Sequence, residues 1–211
     1  LPQLVSGITK REPLYHEMTF VGLDGKEILK VSASNLLPRK LLDVSNQDNT
    51  YCKAETYFSN IEKLKEGEIF VSRVVGPYIG SPLIGTFTPE AADKKGIPFE
   101  PEKAGYAGKE NPVGKRFKGL IRWITPVFEA NTKIGYITLA LDHTHLMEFT
   151  DHIIPTEERY SAISDAGSGN YAFMWDYRGR NISHPRDYFI TGYNPQTGQP
   201  AIPWLEKADY E

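Results

Sequence analysis

At 211 residues the chain has room for one large domain or two small ones, and its 40% hydrophobic and 24% charged content is ordinary for a globular fold. A net charge of −3, with no compensating Lys/Arg cluster, excludes the basic field that nucleic-acid binding needs. One cysteine, Cys52, excludes a disulfide framework or a cysteine zinc site within one chain, and no apolar run approaches the roughly 18 residues of a membrane span.

Residues 1–14 carry Leu1, Leu4, Val5 and Ile8 and break at Pro13, the pattern of a helix tail whose beginning is missing. No signal peptide is present, and the start at Leu1 and finish on Ala-Asp-Tyr-Glu read as those of a fragment. From Tyr15 to Ala33, Met18, Phe20 and Val21 precede Asp24-Gly25 and Ile28, Leu29 and Val31 follow, a strong hairpin signal. Residues 34–50 are polar. Tyr51 to Leu64 sets Ala54, Tyr57, Phe58, Ile61 and Leu64 at helical spacing, which predicts an amphipathic helix closed by Gly67. Glu68 to Val75 predicts a strand ended by Gly76-Pro77. Tyr78 to Phe117 is rich in Gly, Pro and charge and lacks periodicity. A loop of that length is functional or mobile, and its position before the next hairpin makes it the candidate cover of a binding pocket.

Two β-rich runs follow, Gly119 to Phe128 and Ile134 to Leu141, joined by a five-residue turn, Glu129 to Lys133, in which Asn131 suits a left-handed position. After Asp142, Leu146, Phe149 and Ile153 recur at helical spacing behind Thr144 as a candidate N-cap. Residues 154–170 are loop-like. Phe173, Met174 and Trp175 then lead into a turn at Tyr177–Arg180, Ile182 resumes the apolar pattern, and residues 187–211 show no strong periodicity. FVGLDGKEI (Phe20–Ile28) and MWDYRGRNI (Met174–Ile182) share a layout that aligns Gly25 with Gly179, an offset of 154 residues. Each copy would open a domain, so the chain reads as two domains of one kind with the second incomplete.

This order, with W-D-x-x-G-x-x-I-x-H-P at Trp175–Pro185 and the closing strand IGYITLALD at Ile134–Asp142, resembles the double Cache (dCache) family of extracytoplasmic sensor domains. The resemblance implies an α+β fold of two PAS-like modules, each a central antiparallel sheet with flanking helices, on an N-terminal helix mostly missing here. It implies a membrane-distal sensing module at 1–142, a connector helix at 143–153 and a partial membrane-proximal module at 154–211. The function implied is sensing a small molecule in the distal module of a transmembrane receptor, most often a histidine kinase, so the domain itself would not be an enzyme. The parent would be membrane-anchored, the domain periplasmic or on the cell surface, with homodimerisation through the N-terminal helix. No cofactor and no resident metal are expected. The amino-acid-binding subset carries Arg-x-Trp and Tyr-x-Asp pairs before its fourth strand and an Asp closing the fifth. Asp142 matches the last, whereas NPVGKRFK before Gly119 carries neither pair.

The ligand-binding candidates follow from position. Asp142 ends an apolar strand and can receive a ligand amine or cap the connector helix. Tyr136 and Thr138 share its face by the period of two, the pattern of a polar pocket wall. Arg122 and Trp123 lie on opposite faces of one strand. Either Trp123 packs inward with Arg122 in solvent, or Arg122 faces the concave side and binds a carboxylate bidentately. Arg73, mid-strand, invites the same choice, and Tyr78 and Tyr106 can close over a ligand or anchor the long loop. Two other readings stay open: a metal-assisted hydrolase using Asp142, His143 and His145, and a structural or dimerisation spacer. His184 suits ordering of the hairpin end. Nucleophilic, P-loop and dinucleotide motifs are absent.

Overall fold

The computed structural model describes residues 13–79, 88–100, 117–151, 172–184 and 189–201. Its main sheet has five antiparallel strands in the order β2-β1-β5-β4-β3: β1 (Tyr15–Val21), β2 (Glu27–Ser32), β3 (Phe70–Val71), β4 (Leu120–Glu129) and β5 (Thr132–Asp142). With the short helices α1 (Tyr57–Ile61), α2 (Pro89–Lys94) and α3 (Thr144–Asp151), the fold is α+β with a PAS-like central antiparallel sheet. Two strands, β6 (Met174–Trp175) and β7 (Asn181–Ser183), form a separate hairpin. Among the described residues no helix is long and apolar enough to cross a membrane.

Both Gly-centred hairpins form. Gly25 has φ +81°, and a Cβ there would lie 2.6 Å from that of Ser45, so the turn requires glycine. The turn is closed by Gly22 N–H to Lys26 O (2.8 Å) and Gly25 N–H to Gly22 O (3.0 Å). Shifted by the same 154 residues, Asp176 N–H donates to Arg180 O (2.8 Å) and Gly179 N–H to Asp176 O (2.9 Å). Gly179 again has positive φ, 77°. The two sequence copies thus fold into the same turn.

The β4–β5 turn is tighter than the five residues expected. Only Ala130 and Asn131 lie outside the strands, both at positive φ (45° and 66°), the signature of a primed turn that matches strand twist. The extra residue is absorbed by a bulge at Val127/Phe128.

Three expected elements differ. The helix over 51–64 is broken: a 3₁₀ turn at Tyr51–Lys53 contains left-handed Cys52 and Lys53, and only Tyr57–Ile61 is α-helical. Glu55 N–H, which a helix would direct to the Tyr51 carbonyl, goes instead to Thr50 Oγ1 (3.1 Å), while Glu55 Oε2 accepts the Tyr51 N–H (2.9 Å). Apolar spacing survives the break, because Tyr57, Phe58 and Ile61 are still buried. The strand over 68–75 shrinks to Phe70–Val71. Arg122 N–H bonds the Ser72 hydroxyl (2.8 Å) instead of a carbonyl, and regular pairing returns only at Val75 opposite Leu120. Inside the long loop, α2 was not foreseen, although Thr88 caps it through Ala91 N–H (3.2 Å) with Pro89 at its start. Tyr106 lies outside the described residues.

Helix α3 buries a different face from the one its spacing suggested. Met147 and Thr150 are buried while Phe149 is 65% exposed. The sheet is likewise polar where it is covered. Its inner face, under α1 and the segment before it, carries Glu17, Thr19, Arg122 and Thr138 beside Val21, Ile124 and Tyr136. Its outer face exposes Met18, Leu29, Val31, Val71, Trp123 and Ile137.

A non-glycine residue at φ 45° costs about 1–2 kcal/mol, so Ala130→Gly is expected to stabilise the hairpin by up to ~1 kcal/mol. A denaturant melt checks this, and a lower midpoint in the variant contradicts the strained-turn reading.

Candidate functional site

The inner face is organised around Ala140. Arg122 of β4 and Glu17 of β1 both pair with it, one from each side of β5. The alanine methyl leaves room above the sheet, and two long side chains can meet across the ~10 Å between β1 and β4. Arg122 Nη1 bonds Glu17 Oε1 at 2.8 Å and reaches Thr138 Oγ1 at 3.4 Å. From the opposite side Glu55 closes on the same guanidinium, with Oε1 on Nε and Oε2 3.4 Å from Nη2. The Tyr57 ring lies 5.3 Å from the guanidinium carbon, within cation–π range. Thr19 Oγ1 donates to Glu17 (3.1 Å).

The cluster extends toward the edge strand. Lys30 Nζ is 2.6 Å from Glu27 Oε2 and 3.5 Å from Glu17 Oε2, and it also donates to the carbonyls of Pro38 and Lys40. Glu27 Oε2 accepts the Leu42 N–H at 2.7 Å. Three carboxylates and two cations are therefore buried together. Burial would drive the Arg122 guanidinium toward neutrality, but Glu55, Tyr57 and Glu17 outweigh it and hold Arg122 charged, well above its ordinary value. For Glu27 the balance falls the other way: burial raises its carboxyl above the ordinary range despite Lys30 and the Leu42 amide. Burial also pushes the Tyr57 phenol up, and its hydroxyl, buried in the interior, has no hydrogen-bond partner among the described residues.

Glu55, itself only 4% exposed, joins this cluster to a surface cleft. It lines a half-open cleft of about 420 Å³ together with Ser45, Gln47, Phe58, Ser59 and Glu62. That volume falls within the roughly 300–1,000 Å³ of small-molecule sites. The cleft runs between the 44–47 loop and α1, and its charged side chains are both acidic.

The candidates drawn from sequence are only partly gathered here. Arg122 is the inward-facing member of its pair, 4% exposed, and Trp123 is 42% exposed on the other face. The orientation that packs Trp123 inside is therefore corrected. The carboxylates that Arg122 holds are the chain's own. Thr138 belongs to the cluster. Tyr136 shares its face but packs among Val21, Val44, Tyr57, Phe58, Ile61 and Ile124. Asp142 stands apart at the strand end, where Oδ1 accepts the Thr144 N–H at 2.9 Å and Oδ2 lies 3.4 Å from His16 Nε2. It, rather than Thr144, supplies the side-chain acceptor at the start of α3. Arg73 lies beyond the short β3 and is exposed. Tyr78 is half-buried and donates its N–H to Tyr193 O (3.3 Å).

His143 is buried edge-on to Phe117, its Nε2 on Ile182 O of β7. Among the described residues no three His, Cys, Asp or Glu side chains converge as metal ligands. His184 stacks on Phe173 and meets Phe189 at a tilt. Sequence reasoning missed Glu17, Glu27, Lys30, Glu55 and Tyr57. The available signal was the alternation Glu17-x-Thr19-x-Val21, masked by the larger Met18 and Phe20.

No family model and no curated protein matches the chain. Two solved structures resemble it at 13% identity. One is the extracellular domain of a protein described as a histidine kinase (TM-score 0.35), covering 64% of this chain and 36% of its own. The other is a domain of a protein described as of the sensory box/GGDEF family from Vibrio parahaemolyticus (TM-score 0.37), covering 74% and 54%. The chain thus spans between a third and just over half the length of these structures.

Removing Arg122 strands Glu17 and Glu55 in the interior, and Arg122→Met is expected to cost about 3–5 kcal/mol in a denaturant melt. A loss under ~1 kcal/mol contradicts the buried-cluster description. Glu27 gives a pH signature. Its folded pKa lies above its unfolded one, so its contribution is complete below the ordinary glutamate value and is lost as pH rises through the raised value. Glu27→Gln should gain stability relative to wild type as pH climbs above the ordinary glutamate range, and a difference that stays constant as pH rises refutes the assignment.

Proposed function

We propose that the chain is a non-enzymatic, small-molecule-sensing module of a transmembrane signalling receptor, with a histidine kinase as the favoured parent. The observation that carries this is the buried Arg122–Glu17–Glu55 cluster opening through Glu55 onto a ligand-sized cleft. Burying ions costs several kcal/mol each, and well-packed apolar side chains would hold the sheet as well or better. A strongly perturbed Arg122 whose partner Glu55 lines a cleft is instead a functional-site candidate. Glu55 and Glu62, with the ring of Phe58, suit a ligand bearing an amine.

In this reading the ligand binds one arrangement of Glu55 and its turn better than others and so shifts their populations. The PAS-like sheet serves as the distal module, α3 leads out of it as connector, and the β6–β7 hairpin belongs to a second module of the same kind. The module lies outside the cytoplasm, anchored by segments of the parent protein and dimerising through an N-terminal helix.

A thermal-shift screen of amines, amino acids, organic acids and purines tests the reading. A binder at 100 times its Kd should stabilise by about 2.7 kcal/mol. Ser59→Phe, which fills the cleft from the exposed side of α1, should abolish the shift. No binder across the library, or a shift that Ser59→Phe leaves intact, refutes ligand sensing at this cleft.

A further inference from the structure

Two cleft residues do more than line it. Gln47 Nε2 donates to the Lys53 carbonyl at 2.6 Å, and Glu55 Oε2 accepts the Tyr51 N–H at 2.9 Å. Between these braces lie Cys52 (φ 52°) and Lys53 (φ 50°), two consecutive non-glycine residues in the left-handed region. Such a pair persists only where its surroundings hold it. The same turn carries a second load on its far side. The backbone of Gly198 sits so close that a Cβ there would fall 1.9 Å from the Lys53 oxygen. Cys52 packs in one apolar cluster with Tyr193, Leu37, Val75, Leu120 and Ala140.

Tyr193 and Gly198 belong to segment 189–201, which lies as a strap across the edge of the main sheet. Tyr193 N–H donates to Gly76 O (2.9 Å), and its carbonyl accepts the Tyr78 N–H (3.3 Å). Ala201 N–H returns to Gly192 O (2.8 Å). At Gly192 a Cβ would meet the Tyr78 backbone at 2.4 Å, so the strap is seated by two glycines at once.

We propose that the cleft and this strap are antagonistically coupled through the Thr50–Ala54 turn: a ligand that takes the Gln47 amide or the Glu55 carboxylate releases the turn and undocks the strap. This rests on reading the Glu55 cleft as the ligand site. Removing either brace lets Cys52 and Lys53 leave the left-handed region. The Lys53 carbonyl then moves from beneath Gly198, and Cys52 moves from beside Tyr193. By linkage, docking of the strap lowers affinity at the cleft by the same factor.

The test uses the intact chain without ligand. Gln47→Ala removes one brace, and the Tyr193 and Ala201 amides should then exchange hydrogen about five- to tenfold faster, the scale of one hydrogen bond. Alkylation of Cys52 by iodoacetamide should accelerate in parallel, while β4 and β5 amides keep wild-type protection. Ser59→Ala, on the same wall but bracing nothing in the turn, should change none of these rates. Wild-type rates at Tyr193, Ala201 and Cys52 in Gln47→Ala overturn the proposal. If that variant also loosens β4 and β5, Gly198→Ala is read in the reverse direction. Faster exchange at Thr50, Lys53 and Ala54 with β4 and β5 intact supports the coupling, and unchanged exchange there overturns it. Failure in this experiment refutes the coupling alone, whereas a ligand screen without a binder refutes the cleft and leaves these rates untouched.

Discussion

The guanidinium of Arg122, held between Glu17 and Glu55, is the interaction on which the rest of this structure depends. It joins three strands and the segment before α1 through one buried charge. Each partner imposes a local consequence. Glu17 can reach it only because Ala140 between them is small. Glu55 can reach it only if the chain before α1 leaves the helical path, which places Cys52 and Lys53 in the left-handed region. That departure opens the cleft between the 44–47 loop and α1. Polarity inside the sheet, a strained turn and a ligand-sized cleft thus meet at one ion cluster.

The sheet is inverted relative to the usual expectation. Its covered side holds charge, and its outer side shows Met18, Leu29, Val31, Val71, Trp123 and Ile137. This explains what the sequence could and could not reveal. Strand positions follow from β-branched and aromatic runs and from turn chemistry at Asp24-Gly25 and Asn131, and these formed, with the run at 68–75 reduced to Phe70–Val71. Which face is buried follows from hydrophobicity only when charge stays outside. Here Arg122 and Glu17 each depend on partners distant in sequence, since Glu55 is 67 residues from Arg122 and Glu17 is 105. No local pattern contains such a pairing, so Trp123 looked like the inward residue. The helix expected at 51–64 failed for a local reason: its apolar spacing is genuine, but the Thr50 and Glu55 side chains bond backbone N–H groups at its start.

The duplicated hairpin is the counter-example, where a faint sequence signal carried full structural content. Matching only a glycine, an isoleucine and an apolar start, the two segments nonetheless close with the same pair of backbone hydrogen bonds at the same offset. Left-handed glycine, with φ 81° in one turn and 77° in the other, is the determinant that both copies keep. The surrounding polar residues differ because they meet different neighbours. In the first copy the turn abuts Ser45 and Phe58, whereas nothing lies within 4 Å of a Cβ built at Gly179.

A buried ion cluster also bears on what kind of module this is. Apolar packing of the same volume can hold a sheet at lower cost than three carboxylates and two cations in its interior. Such a cluster is useful where partners must be exchanged. Glu55 offers one carboxylate both to Arg122 and to the Tyr51 amide, and it does so at the wall of a cleft. A cation arriving there competes for that carboxylate on equal chemical terms, which hydrocarbon packing does not permit. Gln47 braces the same turn and Gly198 rests on it, so the cleft and the 189–201 segment meet on opposite sides of one turn.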